Sequence, residues 1–166
     1  LGGDARDATV LERAVEGCSA VVTALGVTQT WQDTNLFSQA QVALNRAMDN
    51  AGLKRAVLVT GLGAGDSRGH QGWLYDNLLF PLFLARSYAD KDRAEAVLQK
   101  SDLNWTIVRP GRLTNGPKKN KVEALLTPET YRYGSISRAD VAAFVLDCIE
   151  KDDYLRQTPQ IVDRKS

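Results

Sequence analysis

Two kinds of apolar run alternate along the chain. Val10, Leu11, Ala14 and Val15 recur at helical spacing between Asp7 and Gly17. That spacing predicts a helix over Ala8 to Glu16, with Asp7 as its N-cap and Gly17 just past its end. Ala20-Val21-Val22-Thr23-Ala24-Leu25 follows as an unbroken apolar stretch closed by Gly26, the mark of a buried strand. Leu36, Ala40, Ala43, Leu44, Ala47 and Met48 return to the helical period. They predict a long helix capped by Asp33 or Thr34 and ending at Ala51, with Gly52 beyond. Arg55 to Thr60 is a second buried strand, and Gly61 to Gly72 is a glycine-rich loop.

The second half repeats the alternation. Trp73 to Leu84 is apolar and predicts a short helix broken before Pro81, followed by a helix from about Pro81 to Lys100. Trp105 to Arg109 is the third strand, stopped by Pro110-Gly111. After a basic loop, Pro117 to Lys121, a short strand is expected over Val122 to Leu126. Ser137 caps a helix from Arg138 to Glu150, with Asp140 in its first turn, and Ile161-Val162 can form a last strand. Continuously apolar strands separated by helices argue for an α/β fold with a parallel sheet covered on both faces. The ligands of such sheets bind at the carboxyl ends of the strands. The segments to inspect are Leu25-Gly26, Thr60 to Gly65, and Arg109 to Thr114.

Composition narrows the classes. With 166 residues, 43% hydrophobic and 25% charged, the chain has the make-up of one globular domain. A formal net charge of +1 gives no electrostatic case for nucleic acid or an anionic membrane. The nearest thing to a membrane span, Leu78 to Ala85, is too short and contains Pro81. Cys18 and Cys148 lie far apart in sequence, and His70 is the only histidine, so no metal site is expected. Reduced cysteines and a cytoplasmic location are the expectation.

Taken in order, Gly3-Asp4-Ala5-Arg6-Asp7, Val21 to Gly26, Val57-Leu58-Val59-Thr60, Val108-Arg109-Pro110-Gly111-Arg112-Leu113 and Ile136-Ser137-Arg138-Ala139-Asp140-Val141-Ala142 form a set. The set resembles the atypical short-chain dehydrogenase/reductases, which include NmrA-like regulators and biliverdin/flavin reductases. The resemblance spans nearly all of residues 2 to 162. It implies a Rossmann-like doubly wound parallel sheet and a bound NAD(P)H, with NADP(H) favoured over NAD(H).

The resemblance also implies roles. Asp4, with Ala5 beside it, matches the end of the family's third strand, where the carboxylate accepts from the adenine amino group. A turn residue stabilising the next helix is the plainer alternative. Leu25 and Gly26 match the fourth strand's end, where backbone approaches the cofactor ribose; a turn glycine would look the same. Thr60-Gly61 matches the fifth strand's end. Many relatives carry two hydroxyl residues there, and the hydroxyl can polarise a substrate carbonyl; here the second position is Gly61, which has none. Pro110, Gly111, Arg112 and Leu113 match the sixth strand's end, whose backbone holds the nicotinamide carboxamide. Arg112 can also reach a phosphate or a substrate carboxylate, or be a solvated loop arginine.

Tyr88 and Lys91 form the sharpest pair. Related dehydrogenases use Tyr-x-x-x-Lys on a helix, the lysine binding the nicotinamide ribose and the tyrosine transferring a proton. Here three positions separate the two instead of four. Lys91 matches the family lysine by the following Arg93-Ala94-Glu95 run, and Tyr88 does not clearly match the acid. Gly61-Leu62-Gly63-Ala64-Gly65 imitates a dinucleotide fingerprint, but Asp66 occupies the third glycine position. An ordinary loop on the cofactor side is expected there.

The family's first βαβ unit, with its pyrophosphate-seating glycine turn, has no counterpart after Leu1. The expectation is therefore a single Rossmann-like domain over 1–166 that is truncated at the N-terminus. An exposed edge on the first strand would be available for self-association. The resemblance implies reduction of a small-molecule acceptor of flavin, quinone or tetrapyrrole type, which needs no positioned acid. The alternative is a non-catalytic NmrA-like redox sensor.

Overall fold

The computed structural model describes residues 2–28, 34–70, 72, 73 and 75–164. Helix α1, Ala8–Val15, starts on Asp7, whose carboxylate accepts from the Thr9 N–H at 2.9 Å. Strand β1 covers Ala20–Thr23, two residues shorter than the apolar run. Helix α2, Leu36–Asn50, buries Phe37, Ala40, Ala43, Leu44, Ala47 and Met48, the face read from the sequence together with Phe37. The N-cap is Asn35, one residue later than expected, and its side chain makes no cap bond; Thr34 just before it accepts from the Leu36 N–H at 3.1 Å. Asp33 lies outside the described residues. A second cap comes from far away in sequence: buried Asp90 accepts from the Phe37 N–H at 2.8 Å and from the Ser38 hydroxyl at 2.5 Å. At the other end, Gly52 adopts φ +69°. The N–H groups of Gly52 and Leu53 bond the carbonyls of Asp49 and Met48, so the helix closes with a Schellman turn.

Strand β2 is Arg55–Val59. The Trp73 to Leu84 stretch is not a simple helix. Tyr75–Leu79 is a single wide turn with π-type hydrogen bonding that runs into α3, Phe80–Phe83. Pro81 sits in the first turn of α3, where its missing N–H costs nothing, so the long helix expected from Pro81 splits into α3 and α4, Ala85–Gln99. Strand β3 is Asn104–Pro110.

Pro110-Gly111 does not stop the strand pattern as expected. After a kink at Gly111 the chain continues as β4, Arg112–Thr114, which pairs in parallel with β6, Ser135–Ser137. The crossing requires glycine. A Cβ on Gly111 would collide with the Gly134 carbonyl, and one on Gly134 would lie 2.8 Å from Val162 Cγ1. Strand β5, Val122–Leu125, helix α5, Arg138–Glu150, and β7, Gln160–Asp163, complete the described chain. Ser137 caps α5 by accepting from the Asp140 N–H at 3.0 Å, as the sequence predicts.

The main sheet runs β1-β2-β3-β7-β5. The first four strands are parallel and β5 pairs antiparallel with β7, so the sheet is mixed at one edge. Successive side chains face opposite ways. Ala56, Leu58, Trp105 and Ile107 pack with Val15, Leu44, Met48 and Leu98 from α1, α2 and α4. Val57, Val108 and Ile161 pack with Val141, Val145 and Cys148 from α5. The sheet is thus covered on both faces, except at β1. Val22 in that edge strand is 43% exposed, beside an apolar groove of about 400 Å³ lined by Leu11, Ala14, Val21 and Leu44. This is the exposed first-strand edge expected from the sequence: no strand among the described residues pairs with the outer side of β1.

Candidate cofactor cleft at the strand tips

Parallel register brings the carboxyl ends of β1, β2 and β3 to one side of the sheet. Thr23 pairs with Leu58 and Leu58 with Ile107. Beyond the strands, the Thr60 N–H bonds the Val108 carbonyl and the Leu62 N–H bonds the Pro110 carbonyl, each at 3.0 Å. These bonds hold the two tips together and open a cavity of about 270 Å³ above them. Its lining includes Thr60, Gly61, Tyr88, Lys91, Pro110, Gly111, Arg112 and Leu113. Eight site residues chosen from the sequence, drawn from three separate segments, therefore share one cleft. Leu62 and Tyr133 complete its wall and carried no sequence signal.

The remaining candidates sit elsewhere. Leu25 borders a narrow gap shared with Phe37, Thr60 and Lys91, and with Ala5 it also lines the apolar groove along β1. Gly26 lines neither, and a Cβ there would meet no atom within 4 Å, so nothing in this chain demands glycine at that point. Asp4 is engaged by Arg6, whose backbone N–H, Nε and Nη2 donate to its carboxylate at 2.9, 3.0 and 2.6 Å. These hydrogen bonds hold its carboxyl down to about 2. An adenine amino group would have to share that carboxylate with Arg6.

Lys91 is the polar centre of the cleft. Its ammonium donates to the Thr60 carbonyl at 3.0 Å and lies 4.6 Å from the Tyr88 ring centroid and 5.5 Å from that of Phe37. Burial lowers its pKa from the ordinary lysine value, against an opposing pull from Glu95. The shortened spacing between Tyr88 and Lys91 still places both side chains over Gly61. A Cβ at Gly61, where φ is +154°, would lie 2.8 Å from the Tyr88 hydroxyl and 3.8 Å from Lys91 Nζ. A side chain there would press on the Tyr88 hydroxyl and would have to adopt a φ that residues other than glycine rarely take.

Beneath the cleft lies a buried network the sequence reading assigned no role. Arg109, 2% exposed, donates to Glu95, also 2% exposed, through Nε at 3.2 Å and Nη2 at 2.6 Å, and it pairs with Asp66. Glu95 also accepts from the Thr60 hydroxyl at 2.6 Å. Burial opposes the Arg109 charge, but the hydrogen bonds and charges of Glu95 and Asp66 outweigh it and raise its pKa. Two signals were present in the sequence: Glu95 lies four positions after Lys91 on one helix face, and Arg109 interrupts an apolar strand.

The glycine-rich loop is a structural turn. Phosphate cradles need free N–H groups. Here the N–H groups of Leu62, Gly63, Ala64, Gly65 and Ser67 bond Pro110 O, Ser67 Oγ, Gly61 O, Asp92 Oδ1 and Ala64 O. Gly65, at φ +55°, lies against Arg109 and Glu95, where no side chain fits. The cleft suits one end of a dinucleotide. At about 270 Å³ the cavity falls just below the roughly 300–1,000 Å³ of whole-ligand pockets. Its polar side chains include the Lys91 ammonium and the Thr60 hydroxyl.

The fold and this cleft define a Rossmann-type nucleotide-binding protein of the atypical short-chain dehydrogenase/reductase kind. A family model described as NAD(P)H-binding matches residues 1–152, and the chain belongs to that family. It is 34% identical over 141 residues to the uncharacterized sugar epimerase YhfK of Bacillus subtilis (strain 168), covering 83% of this chain and 60% of that protein. It superposes on ChuY, an anaerobillin reductase from Escherichia coli O157:H7, with a TM-score of 0.81 and 26% identity, over 99% of this chain and 74% of that one. A short-chain dehydrogenase/reductase from Veillonella parvula DSM 2008, solved in complex with NADP, gives a TM-score of 0.77 at 21% identity, over 98% of this chain and 71% of that one, a likeness of fold. Among the described residues no helix is long and apolar enough to cross a membrane, and no cluster of metal-ligating side chains occurs.

Proposed function

We propose that the protein works as an NAD(P)H-dependent reductase whose nicotinamide end is held in the strand-tip cleft, with NADP(H) the preferred cofactor and a flavin-, quinone- or tetrapyrrole-like acceptor. The observation that carries this reading is the convergence of Thr60, Lys91, Pro110 and Gly111 on one cavity at the carboxyl ends of parallel strands. The bound nucleotide supplies a hydride. Lys91 binds and orients the ribose through the ammonium protons it does not give to Thr60. The strand-tip backbone at Pro110 and Gly111 positions the carboxamide, and Arg112, with no ion pair among the described residues, faces anionic groups of cofactor or acceptor.

Conjugated acceptors suit this site because they spread the incoming negative charge and take their proton from solvent. A simple ketone benefits from a positioned acid. Tyr88 lies beside Lys91 in the cleft, and its register differs from the family acid; Tyr133 also lines the wall and is no part of that motif. The likeness to ChuY supports the same acceptor class.

The test is NADPH oxidation by the full-length protein with flavin, quinone, tetrapyrrole and ketone panels. Turnover confined to the conjugated acceptors is expected. Lys91→Met is expected to weaken NADPH binding roughly tenfold or more, the scale of one charged hydrogen bond, without lowering stability, since it removes a buried charge. Preference for ketones, or unchanged affinity in Lys91→Met, would remove this reading. Trp73, Leu78 and Leu82, exposed at 77%, 48% and 61%, favour a second reading, a redox sensor that offers this apolar flank to a protein. Tight NADPH binding with no turnover on any panel would select it.

A further inference from the structure

We infer that Thr60 faces the cleft as a hydrogen-bond acceptor and not as an electrophile, and that Glu95 is the positioning residue that makes it so. The inference rests on the cleft being the nicotinamide end of the site. A threonine hydroxyl has one proton and two lone pairs. The Thr60 oxygen lies 2.6 Å from Glu95 Oε1. Glu95 is a carboxylate in a two-point pair with the buried Arg109 guanidinium, and a carboxylate only accepts. The proton between the two oxygens must therefore come from Thr60. No second proton remains for the cleft.

What Thr60 shows the cleft is a lone pair. It can take a hydrogen bond from a ribose hydroxyl or a carboxamide N–H. It repels a carbonyl oxygen, since two acceptors would face each other. The neighbouring groups reinforce this polarity. The Thr60 carbonyl is itself occupied by Lys91 at 3.0 Å, and Arg109 is tied on its outer side to Asp66, so the pair beneath Thr60 cannot rotate away. The next position, where relatives place a second hydroxyl, is Gly61 and carries none. The β2 tip is thereby stripped of hydroxyl donors. A substrate that needs a polarised carbonyl is disfavoured, and Thr60 becomes a cofactor-binding group.

Two measurements on the full-length protein test this. The first needs no cofactor: the Thr60 hydroxyl proton should be visible by NMR as a slowly exchanging resonance, retained in Thr60→Ser and exchanging faster in Glu95→Gln. Exchange in the wild type as fast as at an exposed threonine would overturn the proposal. The second is kinetic. Thr60→Val keeps the side-chain shape and leaves Glu95 paired with Arg109. It should raise the NADPH Kd about tenfold, the scale of one lost hydrogen bond, with kcat nearly unchanged and with Thr60→Ser restoring affinity. A drop in kcat at unchanged Kd would instead identify Thr60 as an electrophile and overturn the assignment. If the wild type binds no NADPH, the reading of the cleft fails, while the NMR result still decides the direction of the Thr60 proton.

Discussion

Arg109 and Arg55 are both buried in this sheet, at opposite ends, and they are neutralised by opposite means. Arg109, near the carboxyl end of β3, meets the carboxylates of Glu95 and Asp66. Arg55, at the amino end of β2, is 7% exposed and meets mostly carbonyls. It donates to Asn104 O at 2.8 Å, Cys148 O at 2.6 Å and the Thr106 hydroxyl at 3.0 Å. Its nearest carboxylate, on exposed Asp152, is 3.5 Å away. The pKa directions follow. Burial lowers that of Arg55 against a smaller pull from Cys148 and Asp152, while the carboxylates raise that of Arg109. At the amino end an arginine serves as a staple, joining the Cys148 carbonyl in the last turn of α5 to the Asn104 carbonyl and Thr106 hydroxyl of β3. At the carboxyl end an ion pair fixes polarity, because it also decides where the Thr60 proton points.

Replacing each arginine by methionine breaks the comparison most directly. Arg109→Met leaves Glu95 buried without its counter-charge and should cost about 3–5 kcal/mol, read from urea unfolding. Adding Glu95→Leu should return most of that loss, since an apolar pair of similar size needs no compensation. Arg55→Met strands carbonyls and no carboxylate, so about 1–3 kcal/mol is expected. No single partner substitution should rescue it. Equal losses in the two variants, or failure of the double variant to recover, would show that carboxylate pairing is not what separates the two ends.

The same contrast explains what the sequence disclosed. Helix faces, the apolar strands β2 and β3, and the Ser137 cap depend on near neighbours in the chain, and periodicity carries them. Six of the eight cleft residues were legible because parallel strands oblige their tips to coincide, and Tyr88 and Lys91, on α4, because they resemble a Tyr/Lys helix motif. Three features were not legible. Asp90 caps α2 from a distant helix, and only the docking of α4 on α2 puts it there. The β4–β6 pair hides behind Pro110-Gly111, which punctuates a chain that in fact kinks and continues. Arg109 and Glu95 left single-residue signals, a charge inside an apolar strand and a helical spacing from Lys91, but their pairing exists only in the closed fold and sequence spacing does not supply it. Arg55 opens β2, and its role is hidden in the sequence for the same reason.

The smallest expected effect separates the two ends locally. Cys148 is fully buried, burial pushes its thiol up to about 11, and its carbonyl is one of the groups Arg55 holds. Exposed Cys18 provides a fast internal reference. At pH 8 a thiol reagent should label Cys18 at once and Cys148 only through opening of the structure. In Arg55→Met the turn of α5 around Cys148 loses its staple, so labelling should accelerate several-fold beyond what the fall in global stability accounts for. In Arg109→Met the same thiol should follow global unfolding alone, although that variant is the less stable of the two. Local opening at Cys148 in Arg109→Met would mean that the ends of the sheet loosen together, and that the buried pair under the cleft and the staple at the amino end belong to one cooperative unit.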